Sequence, residues 1–191
     1  GGTAGAEAAT LTFMLGGRDA DVARAHEYVG PMAGNVISCG AAGAGIAAKL
    51  VNNMMLFIGV MAMSEGSQLA ERLGLDAKTF WDVARVSSGD SWPLRTWYPV
   101  PGVLEKSAAN NNFDPTFSVD LARKDCGLAV QAGEATGVHL PAAQLALAQL
   151  DELIAEGLGG KDCTLVAKLA SPDGTLRGYD PAADTASSLT A

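Results

Sequence analysis

Lys49 is the residue in this sequence whose type and setting are best suited to chemistry. It is the only charged residue between Gly43 and Ser64, and alanine and glycine precede it along the chain. A helical surface of small residues lets a ligand approach closely, and loss of solvation favours the neutral, proton-accepting form of an amine. Asn53 follows four positions later and would share a helix face with Lys49. The spacing predicts a lysine acid/base residue beside an asparagine that could hold a substrate hydroxyl or carboxylate.

A plainer interpretation of the same pair stays open from the residues alone. Lysine side chains often run along apolar surface to reach water, and Lys49 could do so while Asn53 fills a local polar gap. In that case the chain would be a helical dimerisation or binding module without chemistry of its own.

Other groups of residues are weaker candidates for a site. The glycine-rich residues 1–5 could present backbone N–H groups to an anion, although a plain connecting loop explains them equally well. The neighbouring Lys124 and Asp125 would normally form a solvated helix face. Trp92, Trp97 and Tyr98 could wall a pocket, but such aromatic residues more often pack in a core or a lid.

Composition excludes several classes of function. The chain has 191 residues, of which 48% are hydrophobic, and a net charge of −8. This size suits one compact domain, or one domain with part of another. The acidity argues against a nucleic-acid partner and against a basic helix on a membrane surface. The longest apolar stretch, residues 46–63, is interrupted by Lys49, Asn52 and Asn53, so we expect a buried helix rather than a membrane span.

The cysteines and histidines predict neither a metal site nor a disulfide framework. Cys39, Cys126 and Cys163 are odd in number and far apart, and His26 and His139 have no partner at metal-ligand spacing. We therefore expect three reduced thiols and a cytoplasmic location.

Hydrophobic periodicity and turn residues predict a mainly α fold. A loop over residues 1–5, strands over residues 11–15 and 35–39 and a helix over residues 19–29 make a short α/β segment, residues 1–40, which is too small to be a domain of its own. An all-helical domain over residues 41–170 should follow, with a long helix from Gly43 to Leu73 as its spine. The polar residues 171–191 read as a weakly ordered or partner-dependent tail. The shorter predicted helices cover residues 76–86, 118–136, 141–157 and 162–169.

Several motifs, in order along the chain, resemble the β-hydroxyacid dehydrogenase family. The segment from Gly1 to Gly17 is similar to that family's substrate loop and the strand after it, and residues 45–53 match its catalytic-helix motif G-x-x-x-K-x-x-N-N. Residues 117–129 are similar to its helix on the cofactor side. The segments YPVPGV, residues 98–103, and GLGGKD, residues 157–162, resemble the members that act on 3-hydroxyisobutyrate. The similarity extends to about Leu169.

The resemblance implies a role for the residues that match the catalytic motif. Lys49 would take the substrate hydroxyl proton as hydride leaves for a nicotinamide. Asn53 would orient the substrate, and Asn52 would support that turn of the helix. The backbone of Gly1 and Gly2 would bind the substrate carboxylate.

It also implies roles for residues further along the chain. Lys124 would lie beside the cofactor, and Asp125, next to it, would contribute to substrate binding. Phe117 and Trp92 would shape a pocket for a small substrate. The cofactor would be NAD, with NADP not excluded.

The resemblance further implies that this chain is the carboxy-terminal portion of such an enzyme, with most of the Rossmann domain lying upstream. Residues 1–40 would be the tail end of that domain, and the chain alone would be inactive, since it carries no G-x-G-x-x-G fingerprint. The reaction would be oxidation of 3-hydroxyisobutyrate to methylmalonate semialdehyde in valine catabolism, by a homodimer or homotetramer assembled through the helical domain. A tartronate semialdehyde reductase is the nearest alternative.

Overall fold

The structure is a computed structural model that describes residues 2–188, with side chains described over residues 5–184. It separates into two compact units, Gly1–Asn53 and Met54–Ala191. The long helix α3 (Ala44–Arg72) contributes residues to both units. The predicted fold class, a mainly helical chain that begins with a short α/β segment, is confirmed by the order of the elements.

The first unit is built on two parallel strands. Its elements before α3 are α1 (Gly2–Glu7), β1 (Leu11–Leu15), α2 (Asp19–Val29), a 3-10 turn (Gly30–Met32) and β2 (Ala33–Ser38). The strands pair in parallel, with Thr12 opposite Asn35 and Leu15 opposite Ser38. Parallel neighbours need a crossover connection, and α2 supplies it. The predicted order of strand, helix and strand is therefore confirmed.

The glycine-rich start of the chain is not a loop, and the prediction of one over residues 1–5 was wrong. Gly2–Glu7 forms α1, and because six residues are too few for propensity alone to hold a helix, contacts with neighbouring elements stabilise it. A Cβ at Gly5 would lie 2.9 Å from the Leu11 side chain, so glycine lets this helix approach β1. Gly1 itself lies outside the described residues.

The second unit consists of helices and short helical turns. Besides residues 54–72 of α3, it contains α4 (Ala77–Ala84), α5 (Trp92–Thr96), a 3-10 turn (Ala108–Asn111), α6 (Val119–Thr136), α7 (Pro141–Ala155), a 3-10 segment (Cys163–Ala170) and α8 (Pro181–Ser188). The predicted helices over residues 76–86, 118–136 and 141–157 correspond to α4, α6 and α7. The helix predicted over residues 162–169 is a 3-10 segment, and α5 lies in a region where no helix was predicted.

The ends of these helices follow local sequence signals. The Asp76 carboxylate accepts a hydrogen bond of 2.8 Å from Thr79 N at the start of α4, and Ser118 Oγ caps α6 by accepting one from Leu121 N. Helix α6 ends at Gly137, whose φ of 72° is left-handed and disfavours other residues. These caps fix where α6, which carries Lys124 and Asp125, begins and ends.

The core of the second unit joins α3, α6 and α7. Phe57 and Val60 of α3 are fully buried with Cys126 of α6 and with Leu150 and Leu153 of α7. By length and composition alone α3 could cross a bilayer. Only 22% of its most apolar 18-residue window is buried in the described structure, and the buried part includes Phe57 and Val60 in the core of the second unit.

The residues after Ser171 make specific contacts that their low apolar content did not lead us to expect. Leu176 is buried in a small apolar cluster with Phe113. Asn112 Nδ2 donates to the Asp180 carbonyl at 3.2 Å, and the Lys161 ammonium pairs with the Asp184 carboxylate. One apolar side chain and several polar contacts thus join this segment to the second unit.

Candidate active site

Two glycines anchor the first turn of α3 against the end of β1. A Cβ on Gly45 would lie 2.2 Å from the Met14 carbonyl oxygen, and one on Gly16 would lie 2.6 Å from the Ala41 carbonyl oxygen. Both distances are shorter than real Cβ contacts, so any side chain would push the helix off the strand. The two backbones therefore meet directly, and this contact fixes the first turn of α3 against the end of β1.

Lys49 and Asn53 continue the stripe of α3 that begins at Gly45. The three residues are four positions apart in turn and so lie on one face of the helix. Lys49 is exposed and Asn53 is half-buried. Asn52 Nδ2 donates to Asn53 Oδ1 at 3.3 Å, which turns the oxygen of the Asn53 amide toward Asn52. The arrangement can place an amine and an oriented amide side by side against one ligand.

An aromatic wall in the second unit connects two of the predicted pocket residues. It consists of Phe57, Trp92, Trp97 and Phe117. The Trp97 ring lies edge-on to Trp92 at 5.1 Å and stacks on Phe117 at 6.2 Å, and Phe117 lies 5.8 Å from Phe57. Trp92 and Phe117, 25 positions apart in the chain, are thereby joined through Trp97.

Trp97 was named from the sequence only as a possible pocket wall and was not among the predicted site residues. The sequence does carry a local helix-start signal here: Ser91 caps α5, and Pro93 lies in its first turn. The five residues of α5 therefore lie between the cap and Trp97. A short helix of this kind brings two tryptophans five positions apart into contact at its two ends.

Lys124 and Asp125 on α6 form an ion pair with unequal exposure. Lys124 Nζ lies 3.2 Å from Asp125 Oδ1, and the Lys124 side chain is 58% exposed whereas that of Asp125 is 5% exposed. The ordinary expectation of a fully solvated pair is therefore wrong for Asp125. A carboxylate is buried only where it has partners, so Asp125 holds the Lys124 ammonium at the surface of α6.

Asp162 is a further residue that the sequence analysis did not connect with the site. Its carboxylate is buried and accepts hydrogen bonds from the backbone N–H groups of Thr116, at 2.8 Å, and Phe117, at 3.1 Å. From the sequence, Asp162 was expected only to begin a helix and to end the GLGGKD segment that resembles the family. The D-x-T pattern with Thr164 predicts such a cap, but not the contact with residues 46 positions away.

Burial also alters the acidity of groups in the second unit. Burial raises the pKa of the Cys126 thiol, and it raises that of Cys163 well above its ordinary value. Both thiols are therefore poor nucleophiles and metal ligands. Among the described residues no three histidine, cysteine or acidic side chains come together as a metal site.

The structure gathers the predicted site residues into three local groups. In the first unit Lys49, Asn52 and Asn53 share one stretch of α3. In the second unit Trp92 and Phe117 belong to the aromatic wall, and Lys124 pairs with Asp125. Of the two glycines predicted to bind a carboxylate, Gly2 lies in α1 and Gly1 is outside the described residues.

Comparison with protein families identifies the class of this chain. Residues 43–170 match the family model described as "NAD-binding of NADP-dependent 3-hydroxyisobutyrate dehydrogenase". The match covers the helices that carry Lys49, the aromatic wall and the Lys124–Asp125 pair. The chain belongs to this family of nicotinamide-dinucleotide-binding domains. The cofactor class is that of the prediction, NAD with NADP not excluded.

Curated relatives agree with the family match. The chain is 50% identical over 141 residues to a "Probable 3-hydroxyisobutyrate dehydrogenase" of Mycobacterium tuberculosis, covering 74% of this chain and 48% of that protein. It is 37% identical over 172 residues to an "NAD-dependent L-serine dehydrogenase" of Pseudomonas aeruginosa, covering 90% of this chain and 58% of that protein. The chain spans about half the length of the curated relatives it matches.

A solved structure confirms both the fold and the resemblance. The 3-hydroxyisobutyrate dehydrogenase of Mycobacterium tuberculosis with L-serine superposes with a TM-score of 0.82 at 44% identity, over 88% of this chain and 58% of that one. The predicted resemblance to the β-hydroxyacid dehydrogenases is therefore confirmed. The chain corresponds to a helical domain together with the short α/β segment that precedes it.

Proposed function

We propose that the protein containing this chain is an NAD-dependent dehydrogenase that oxidises 3-hydroxyisobutyrate to methylmalonate semialdehyde in valine catabolism. This chain would supply the catalytic helical part. The observation that carries the proposal is the stripe of α3 on which Lys49 and Asn53 follow the anchored Gly45. Members of the family named as 3-hydroxyisobutyrate dehydrogenases support the substrate.

In this proposal Lys49 is the general acid/base. Its neutral amine accepts the proton of the substrate hydroxyl as the C–H hydride departs, and the resulting ammonium returns a proton in the reverse reaction. Asn53 orients the substrate oxygen, and Asn52 holds the Asn53 amide by the 3.3 Å hydrogen bond. The direct contact of Gly45 with β1 gives Lys49 a fixed base from which to reach the reacting atoms.

The donor chemistry of α6 fits a dinucleotide cofactor. Lys124 offers a half-exposed ammonium that the buried Asp125 carboxylate holds, and a fixed cation suits the negative charge of a dinucleotide. When bound, NAD supplies the hydride acceptor. NADP is the alternative cofactor.

The pocket residues suit a small, partly apolar substrate. The aromatic wall gives a flat apolar surface against which Trp92 and Phe117 could hold a methyl group. We also propose that Asp125 contributes to substrate binding and that the backbone of Gly1 and Gly2 binds the substrate carboxylate.

We expect the isolated chain to show little turnover. The sequence contains no G-x-G-x-x-G fingerprint following a strand, so it lacks the usual pyrophosphate cradle. We also propose that the intact protein is a homodimer or homotetramer formed through the second unit, where large apolar side chains are exposed: Met55, Leu69, Leu73 and Leu145. A cytoplasmic location is proposed from the three free thiols.

A second candidate substrate is L-serine, and the observation that favours it is the similarity to the Pseudomonas aeruginosa L-serine dehydrogenase. Serine is also a 3-hydroxy acid, so Lys49 and Asn53 would act on it in the same way. Tartronate semialdehyde reduction would use the same residues in the reverse direction.

The test is an NAD-linked assay of the intact gene product with 3-hydroxyisobutyrate, L-serine and tartronate semialdehyde. The highest kcat/KM should belong to 3-hydroxyisobutyrate. A preference for serine or tartronate semialdehyde would keep the enzyme class and change the substrate. A protein inert toward every 3-hydroxy acid would leave the alternative of a non-catalytic helical dimerisation module.

A further inference from the structure

Asp162 is a buried carboxylate that holds the backbone leading into the aromatic wall. Its residue is 1% exposed, and Oδ2 accepts three hydrogen bonds, from Thr116 N at 2.8 Å, Thr116 Oγ1 at 2.7 Å and Phe117 N at 3.1 Å. One oxygen therefore holds the backbone N–H groups of two successive residues, Thr116 and Phe117.

The other carboxylate oxygen of Asp162 caps a helical segment. Oδ1 accepts from Thr164 N at 3.0 Å and from Thr164 Oγ1 at 2.7 Å, which caps the 3-10 segment Cys163–Ala170. A cap needs only this oxygen. The second oxygen, with three donors, serves the segment that carries Phe117 and has no part in the cap.

Main-chain hydrogen bonds join the same two segments. Cys163 N donates to the Phe117 carbonyl at 2.9 Å, and Val119 N donates to the Lys161 carbonyl at 2.8 Å. The peptide on each side of Asp162 is thus paired with the peptide on each side of Ser118. The position of Phe117 is tied to the placement of Asp162 by its side chain and its backbone.

The backbone that approaches Phe117 also needs restraint. Asn112 and Phe113 have φ values of 50° and 56°, a left-handed conformation that non-glycine residues seldom adopt. Asp162 N donates to the Phe113 carbonyl at 2.8 Å, and Lys161 Nζ donates to that of Asn112 at 3.0 Å. Lys161 and Asp162 therefore hold both ends of the backbone segment that runs from Asn112 to Phe117.

We propose that Asp162 is a positioning residue for the substrate pocket, which sets the placement of Phe117 in the aromatic wall and so the fit of a small substrate. The inference rests on the proposed function only in giving Phe117 contact with the substrate. The contacts of Phe117 with Trp97 and Phe57 make its ring the element through which Asp162 acts.

The variant that separates positioning from capping is Asp162→Asn. An asparagine keeps one acceptor oxygen, which can still cap Thr164, but sets an NH2 group against the donors of Thr116 and Phe117. Thr164→Val is the matched control, since it removes one hydrogen bond from the other oxygen at an equally buried position and leaves Thr116 and Phe117 untouched.

The readouts are KM and kcat of the intact gene product, Tm, and the near-ultraviolet circular dichroism of its aromatic residues. We expect Asp162→Asn to raise KM for 3-hydroxyisobutyrate about tenfold, with a smaller change in kcat, and to alter the aromatic spectrum. Thr164→Val should lower Tm while leaving KM and the spectrum close to wild type.

Equal losses of Tm in both variants, with wild-type KM and spectrum, would make Asp162 structural only and overturn the inference while the dehydrogenase stands. If the wild-type protein is inactive, the proposed function fails, and the circular dichroism spectrum alone tests whether Asp162 positions Phe117. A change confined to Asp162→Asn would then support positioning, and unchanged spectra would overturn it.

Discussion

The two units of this chain differ sharply in how they hold their residues in place. Among residues 5–53, whose side chains the structure describes, Gly45 alone is buried. The second unit has a core in which Tyr98, Phe57 and Leu150 are fully buried. One unit keeps its order through a backbone contact between a helix and a strand, and the other through a packed apolar interior.

This difference bears on where the chemistry is placed. The proposed acid/base residue, Lys49, lies on the open unit, where Ile37 and Ile46 are also exposed and two parallel strands alone are marginal in water. The aromatic wall and the Lys124–Asp125 pair lie on the packed unit. We therefore expect variants of the first unit to affect activity or local order, and variants of the second to affect global stability.

The largest expected effect is on catalysis from the first unit. Lys49→Ala in the intact gene product should lower kcat at least about 100-fold, the usual contribution of a positioned acid/base group. Tm should stay close to wild type because Lys49 is exposed. Lys106→Ala, an exposed lysine on the second unit, is the control and should leave kcat unchanged. Retained activity in the Lys49 variant would remove that residue from the mechanism.

Next in size is a stability effect from the second unit. Leu150→Ala deletes a fully buried side chain of α7 and should cost about 2–5 kcal/mol of unfolding free energy. Leu145→Ala on the same helix removes a side chain that is 60% exposed and should cost less than about 0.5 kcal/mol. Urea denaturation measures both variants. Equal costs would mean that α7 is not packed as described.

The elements that sequence patterns predicted well are those with a clear period. The strand Leu11–Leu15 and the helices α2, α6 and α7 were predicted closely because apolar residues alternate or recur and because caps such as Ser118 and Gly137 mark their ends. Helices α1 and α5 were not predicted. Each has only five or six residues, too few to show a period, and contacts elsewhere in the chain decide whether such a helix forms.

In the candidate site, too, the sequence predicts some contacts and misses others. Partners close in sequence, such as Asn52 with Asn53 and Lys124 with Asp125, follow from helical spacing or adjacency. The contact of Asp162 with Thr116 joins residues 46 positions apart, and no local pattern indicates it. Spacing could also not predict that Asp125 is buried while Lys124 is exposed, because burial depends on which elements pack beside α6. The catalytic and binding roles of these residues stay predictions.

Tyr98 offers a test of the packed unit by pH. Its hydroxyl is buried and has no hydrogen-bond partner among the described residues, and burial raises the pKa of Tyr98 to about 12. The folded state therefore keeps its proton above pH 10, where the unfolded chain loses it, so stability falls as pH rises from about 10 to 12. The loss should be about 2–3 kcal/mol larger in wild type than in Tyr98→Phe, measured by urea denaturation across that range.

At neutral pH the Tyr98→Phe variant should be at least as stable as wild type, since it removes a buried hydroxyl without a partner. Tyr179, whose pKa is also raised to about 12, is present in both proteins and so cancels in the comparison. Parallel pH profiles for the two proteins would show that the Tyr98 hydroxyl is solvated, and the packed interior would then be less closed than the structure describes.

The smallest expected effect tests whether the first unit depends on a backbone contact. Gly45→Ala places a Cβ where the Met14 carbonyl lies 2.2 Å away, so α3 must move off β1 at a cost of about 1–3 kcal/mol. Gly66→Ala on the same helix meets nothing within 4 Å and should be neutral, or stabilising by up to about 1 kcal/mol. Amide hydrogen exchange should show lost protection in the Gly45 variant over residues 11–49 and unchanged protection in the core helices α6 and α7. If protection fell equally in α6 and α7, the two units would unfold as one cooperative unit. The lower burial of the first unit would then not make it open independently of the second.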